Sequence, residues 1–171
     1  MTKPYGATMK LKMTGLAVAL ALVAGQASAA DWVMTDFNTG VVTFMDFSSK
    51  LSANGKQRAW FKMVYSPVAK TSYDEAMSYI EFGCAEREIR LLQVRTYKDG
   101  VKVSSNDRPA LTASVVVPDT PSESILASVC RPDLTSMFRL AKDKTPRELA
   151  DSLFDGLNDE IAKKEAAKKN P

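Results

Sequence analysis

Residues 79–103 read YIEFGCAEREIRLLQVRTYKDGVKV, and Tyr79 to Tyr97 is the longest extended stretch that the sequence predicts. Side chains that alternate onto one face are typical of a strand against a core, and here they are Ile80, Phe82 and Cys84. Leu91-Leu92 breaks the alternation, so a bulge or a change of face is expected there. Asp99-Gly100 is a turn signal that folds the stretch back as a hairpin. The stretch therefore predicts the middle of an antiparallel sheet.

The flanking sequence predicts further strands. Residues 31–47 indicate two short strands around a turn-rich patch, and Asn54-Gly55 is a strong turn signal before the next strand, residues 59–65. That strand has apolar side chains on both sides, which favours cover on both faces. After a polar loop, a period-2 face is formed by Leu111, Ala113, Val115 and Val117.

Two helices follow, each opened by a proline-containing capping box. Thr120-Pro121-Ser122-Glu123 begins the first helix, which places Cys130 on its apolar stripe. Thr145-Pro146-Arg147-Glu148 begins the second, whose stripe consists of Leu149, Leu153, Leu157 and Ile161, with Phe154 beside it. Residues 163–171 are a charged tail that we expect to fray. The order predicts an α+β domain over residues 30–162: a single antiparallel sheet of about five to six strands with its helices against one face.

Residues 1–29 have the features of a secretory signal peptide. Three lysines precede the apolar run Leu16–Ala24, and small residues follow it, so we expect cleavage after Ala29 in preference to Ala30. The run is about half the length of a membrane-spanning helix, which argues against a transmembrane anchor. A second start at Met9 would keep the same features.

Cys84 and Cys130 are the only cysteines, and in an exported chain such a pair is expected to form a disulfide. The alternative, a redox-active or metal-binding pair, is typical of close spacing such as C-x-x-C. There is no histidine, which excludes histidine-based catalysis and most transition-metal sites. Carboxylate chemistry with Asp36 and Asp46 stays an alternative. We expect no catalytic residue, no metal and no cofactor.

Charge argues against a polyanion-binding protein. The chain has 23 bases and 20 acids, and three of the bases lie in the signal, so the mature chain is neutral. A nucleic-acid or acidic-membrane binder would carry a basic excess. The local concentration of bases within residues 86–108 has two interpretations: a solvated sheet edge protected from aggregation, or a patch that faces a partner. For the second, the candidate contacts are Arg90, Arg95, Tyr97, Lys98 and Lys102.

The chain resembles the surface-adhesin protein E family over roughly residues 32–131. The matching elements, in order, are Trp32, the Phe44-Met45-Asp46 strand, Trp60, Cys84 with Arg87 and Arg90, the hairpin 97–101, and the proline-led segment 118–130. The resemblance implies a curved antiparallel sheet whose concave side holds a helix through a Cys84–Cys130 bridge, and a non-enzymatic role. The family's namesake is a surface lipoprotein that binds host matrix proteins. This chain lacks the lipidation cysteine, so a soluble periplasmic or secreted role is expected.

These observations favour an exported, non-enzymatic binding domain whose partner is a protein or a cell-envelope component, with no nucleic acid and no membrane span in the mature chain. The alternative is a periplasmic inhibitor of a hydrolase such as lysozyme, since a rigid loop enters a cleft at low ordering cost. Inhibition of a hydrolase by the pure protein would distinguish the two.

Overall fold

A computed structural model describes residues 30–134 and 137–169, which form one eight-stranded antiparallel sheet with two α-helices. The predicted α+β class is confirmed. The predicted signal peptide and its Leu16–Ala24 run lie outside the described residues, and the expected cleavage after Ala29 stays a prediction. The elements in chain order are β1 (Trp32–Phe37), β2 (Val41–Ala53), β3 (Lys56–Tyr65), β4 (Glu75–Gly83), β5 (Glu88–Lys98), β6 (Val101–Asn106), β7 (Ser114–Val115), α1 (Pro121–Cys130), β8 (Phe138–Arg139) and α2 (Pro146–Lys169).

The strands follow one another across the sheet in the order β6-β5-β4-β3-β2-β1-β8, and β7 pairs with the other end of the outer edge of β5. The strand number exceeds the prediction, chiefly because the stretch 79–97 is two strands and not one. A turn over residues 84–87 separates β4 from β5, and Arg87 adopts a positive φ of 53° there. A non-glycine residue at positive φ is uncommon, and the turn contains no glycine, proline or asparagine to signal it.

Other local predictions are confirmed. The register of β4 on β5 skips one residue, Leu92, which is the bulge expected from the leucine pair. Both predicted hairpin turns form with two consecutive positive φ values, 52° and 73° at Asn54-Gly55 and 49° and 76° at Asp99-Gly100. These are the dihedral signs of the tight turns that suit twisted hairpins.

Helix α1 covers one face of the sheet, here called the α1 face. Its buried side chains Ile125, Leu126 and Val129 pack on the strand residues Met45, Phe61 and Phe82. The Cys84–Cys130 disulfide joins the β4–β5 turn to the last residue of the helix, with the Cα atoms 5.6 Å apart. The predicted pairing is therefore confirmed, and helix α1 is tied to the sheet covalently as well as by packing.

Helix α2 covers part of the opposite face, here called the α2 face. Ala150 and Phe154 pack on Val42, Phe44 and Val64, the residues that alternate with those facing α1. The expectation that both helices lie against one face is therefore wrong. Because β2 and β3 carry apolar side chains on both sides, the middle of the sheet requires a layer on each.

The two helix starts differ in how the capping box forms. At α2 the box is reciprocal: the Thr145 N–H donates to the Glu148 carboxylate at 2.7 Å, and the Glu148 N–H donates to the Thr145 hydroxyl at 3.2 Å. At α1 the Glu123 carboxylate accepts the N–H of Asp119 instead of that of Thr120. Both helices begin at the predicted proline.

Two predictions on segment limits differ from the structure. The face expected from residues 111–117 is exposed, since Val115 is 69% and Val117 62% accessible and the buried residue is Val116. Within this segment only β7 pairs with the sheet, so the outward side chains of residues 111–117 are not covered by a packed element. Helix α2 continues past the end of its apolar stripe to Lys169, and all its residues after Leu157 whose side chains are described are exposed. Fraying of the tail stays a prediction.

Candidate binding surface

Part of the α2 face lies outside the packing of helix α2. The residues packed under α2 come from β1, β2, the end of β3 and Leu140, which follows β8. Beyond them, the register of β3, β4 and β5 places nine side chains of this face in three rows. We call them the platform: Arg58, Glu81 and Arg90; Trp60, Tyr79 and Gln93; Lys62, Met77 and Arg95. None of the nine belongs to either core cluster.

The middle row carries a pair of stacked aromatic rings. The Trp60 and Tyr79 ring planes are inclined at 26°, and their centroids are 5.0 Å apart. This distance is close to the spacing of neighbouring strands. Both residues are half-buried. In the described part of the chain, neither the Trp60 indole N–H nor the Tyr79 hydroxyl has a hydrogen-bond partner. The row therefore offers apolar ring surface together with a free donor and a free hydroxyl.

Arg95 extends over this aromatic row. Its guanidinium carbon lies 5.7 Å from the centre of the Trp60 ring, within the range of a cation–π contact. Within the residues that the structure describes, Arg95 forms no ion pair, whereas Lys62 in the same row pairs with Glu75 at 2.7 Å. Arg95 is thus a positive charge held by an aromatic ring and not neutralised by an acid.

A buried carboxylate organises the row on the other side of the rings. Glu81 is only 6% exposed and lies between two guanidinium groups. Arg58 donates to its Oε2 from Nε at 2.8 Å and approaches the same oxygen with Nη2 at 2.6 Å, and Arg90 Nη2 donates to Oε1 at 2.6 Å. Burial raises the pKa of Glu81, but the hydrogen bonds and charges of Arg58 and Arg90 together lower it by more than burial raises it. The net pKa therefore lies below its ordinary value. Glu81 is therefore ionised at neutral pH, and the three residues together carry one net positive charge.

The structure brings four of the five predicted contact residues to one side of the sheet. Arg90 and Arg95 belong to the platform, and Tyr97 and Lys102 pair with each other in the next row. Lys98 follows Tyr97 in the strand and so points to the other side, and its ammonium lies 3.9 Å from the Asp74 carboxylate. Three of the six bases within residues 86–108 lie on β5, and the edge strand β6 carries Lys102 as its one charged residue. The sheet-edge and partner-facing interpretations both stay predictions.

Lys98 lines a small recess at the end of the hairpin, of about 240 Å³, together with Tyr65, Tyr73, Asp74 and Arg147. Asp74 Oδ2 accepts the N–H of Asp99 and lies 3.8 Å from Arg147, which links β4 to the start of α2. Burial, with a smaller contribution from Tyr73, raises the pKa of Tyr65 to about 12. These contacts give the recess a structural explanation.

The carboxylates considered for catalysis do not converge. Asp36 pairs with Thr43 on the α1 face, whereas Asp46 pairs with Trp60 on the α2 face. Asp46 Oδ1 accepts the N–H of Asp31 and both the N–H and hydroxyl of Ser48. It therefore connects the residue before β1 to the middle of β2. Among the described residues, no three acidic or cysteine side chains cluster as metal ligands would.

The sequence did not single out Arg58, Trp60, Tyr79 or Glu81 as a surface. Alternation shows which side of its own strand each residue occupies, but only the pairing register shows that Trp60 lies opposite Tyr79 and Arg58 opposite Glu81. The turn at residues 84–87, which sets the register of β4 on β5 in the same rows, also has no local signal in the sequence.

A family model described as Surface-adhesin protein E matches residues 32–131, a range that includes the whole platform and both cysteines. No curated protein and no solved structure matches the chain significantly. Within the described residues, no helix combines the length and the apolar character needed to cross a bilayer.

Proposed function

The chain belongs to the surface-adhesin protein E family, and from that premise we propose that it is an exported, non-catalytic binding domain whose partner docks on the platform. The partner is a protein or a component of the cell envelope, met in the periplasm or outside the cell. Family membership and the disulfide support export, and the absence of histidine argues against the commonest catalytic chemistries.

One observation carries the proposal: Trp60, Tyr79 and Arg95 lie together on a part of the sheet that helix α2 leaves open. Tryptophan, tyrosine and arginine are the residues that dominate binding energy where interfaces have been scanned. They are held on three adjacent strands of a continuous sheet, so little conformational freedom is lost when a partner binds.

The test is affinity capture with the mature domain, starting at Ala30, from envelope extract and from host extracellular matrix. A Trp60→Ser, Arg95→Gln double variant is compared with the wild type and with a Lys163→Gln, Lys168→Gln variant, which alters exposed residues at the far end of α2. We expect the platform variant to lose the captured partner and the control variant to retain it.

Folding of the platform variant is checked by its denaturation midpoint, because both substituted residues lie outside the core clusters and should leave the fold intact. A partner that is captured equally by all three proteins would transfer the site to another surface. The hairpin residues Tyr97 and Lys102 would then be substituted next, as the contacts that the sequence had suggested.

A further inference from the structure

We infer that the partner segment recognised by the platform is an extended, acidic stretch of protein with carboxylates at positions i and i+4 and an apolar side chain at i+2. The inference rests on the proposed function and adds the chemistry of the partner. It is drawn from the way in which the positive charges of the platform are compensated.

The first element is the row of Arg58, Glu81 and Arg90, which acts as an anion clamp. One buried carboxylate orients both guanidinium groups, and each arginine side chain is still 36% exposed. A guanidinium has five N–H donors, and Glu81 accepts only some of those on each. The outer donors therefore face solvent around a net positive charge, an arrangement that can receive one further carboxylate in charge-assisted hydrogen bonds.

The second element is Arg95, the one cation of the platform without an acid partner in the described chain. Its backbone row lies four residues along β3 from that of the clamp, about 13 Å away, and its guanidinium leans from that row toward Trp60. In an extended peptide, side chains at i, i+2 and i+4 point to one side and span the same distance. A peptide that runs along the strands would thus place one carboxylate at the clamp and the intervening side chain beside Trp60 and Tyr79. Its second carboxylate would lie over the row of Arg95 and meet the guanidinium from the side away from the clamp.

The neighbouring strands restrict where this segment lies. Asp46 borders Trp60 on the β2 side, where an acidic segment would meet a like charge. On the other side, Lys102 lies on β6 opposite Tyr97, in the row next to that of Arg95, and has no ion-pair partner in the described residues. Charge complementarity therefore favours a path over β4 and β5.

The aromatic row favours a protein segment over an acidic polysaccharide. A sugar ring packs on an open aromatic face, but the Trp60 ring has Tyr79 stacked on it and the Arg95 guanidinium close to it. What is left accessible is ring edge with a free N–H and a free hydroxyl, which suits an aliphatic side chain and a peptide backbone.

The experiment measures binding of the oxidised domain to a soluble peptide that contains Glu-Thr-Leu-Thr-Glu. A peptide of the same composition in the order Glu-Glu-Leu-Thr-Thr is the comparison, and heparin tests a sulfated polymer. We expect the first peptide to bind severalfold more tightly than the second, with an affinity that falls as salt rises through the physiological range. Heparin should bind more weakly than the first peptide.

Two variants test the clamp and Arg95 separately. Arg58→Gln, Glu81→Gln, Arg90→Gln removes the clamp as a unit, so that no charge is left unpaired in the buried position, and Arg95→Gln removes the second cation. Each should weaken binding of the first peptide by at least about tenfold, as expected for loss of a charge-assisted contact. Lys168→Gln, which also removes one positive charge but at the exposed end of α2, should leave affinity unchanged within about twofold.

The outcomes separate this inference from the proposed function. Preference for heparin, equal binding of the two peptides, or no binding of either overturns the acidic-segment inference. If the captured natural partner is lost with the Trp60→Ser, Arg95→Gln variant but retained by the clamp variant, the platform stands as the site and the acidic partner does not. If neither variant affects the natural partner, both are overturned.

Discussion

Removal of the Cys84–Cys130 disulfide should destabilise the domain by roughly 4 kcal/mol while leaving its fold intact. The bridge closes a loop of 46 positions, and the loop-entropy model assigns a loop of that length about 13 cal/mol/K, or about 4 kcal/mol at 25 °C. The native contacts of α1 do not depend on the bridge, because Ile125, Leu126 and Val129 remain buried against the sheet. The effect should therefore arise chiefly in the unfolded chain.

The assay is urea unfolding followed by tryptophan fluorescence, with the oxidised protein, the same protein under reductant, and a Cys84→Ala, Cys130→Ala variant. We expect the reduced protein and the variant to unfold at the same lower urea concentration, with a melting temperature lower by roughly 10–15 °C. The urea dependence should steepen, since an unfolded chain without the cross-link exposes more surface. Reductant added to the variant is the control and should change nothing.

Equal urea midpoints for the oxidised and reduced protein would refute the reasoning, because the stabilisation by loop closure would then be absent. A reduced protein that is unfolded without urea would refute it in the other direction. It would show that the packing of α1 on the sheet is too weak to persist alone, so that the bridge stabilises the native contacts as well as constraining the unfolded chain.

Three further predictions concern other parts of the chain. Glu81→Gln should lower the free energy of unfolding by roughly 1–3 kcal/mol at pH 7, because it replaces a charged acceptor of two guanidinium groups. The pKa of Glu81 is lowered in the fold, so this stabilisation is complete above the ordinary pKa of 4.5 and is lost as pH falls through the lower folded value. The urea midpoints of the variant and the wild type should therefore converge in acid. Phe154→Ala should cost about 3–5 kcal/mol because the ring is 3% exposed, whereas Ile161→Ala on the same helix, at 42% exposure, should cost within about 0.5 kcal/mol in the same denaturation assay. Mass analysis of the exported protein should find its first residue at Ala30 or Asp31, and a product that keeps the apolar run of the signal would contradict the prediction of cleavage.

Features determined by a few adjacent residues or by composition were predicted correctly from the sequence, and features determined by pairing with distant parts of the chain were not. The capping boxes located both helix starts, because a helix N-terminus is determined by a few adjacent residues. The disulfide followed from the cysteine count and the export signal. The bulge at Leu92 followed from two adjacent leucines in an alternating strand.

The errors share a cause in residues whose position is decided by distant parts of the chain. The turn at residues 84–87 has no local turn signal, and the disulfide and the 2.5 Å ion pair of Arg87 with Glu123 connect it to α1. The apolar face of residues 111–117 is exposed because no element lies over it, which alternation alone does not reveal. Each face of the sheet is covered by one helix, whereas both helices were expected on the same face. Which face a helix covers depends on the order of the strands and not on the helix sequence.

The platform exists because helix α2 is placed over only part of a sheet with two apolar faces. The packed part of α2 ends near Leu157. On β3, the buried cluster beneath the helix includes Val64 and no residue nearer the start of the strand. Solubility alone would place small polar or singly charged side chains on the uncovered strands, as on β6, where Ser104, Ser105 and Asn106 lie in sequence. The uncovered strands instead carry two stacked aromatic rings, a methionine and three arginines, two of which are fixed by a carboxylate that is itself buried. Burial of a charge costs free energy, and the hydrogen bonds and charges of Arg58 and Arg90 more than offset that cost, because the net pKa of Glu81 is lowered in the fold. Under the proposed function, the outer donors that these two arginines keep exposed are the groups that the partner meets.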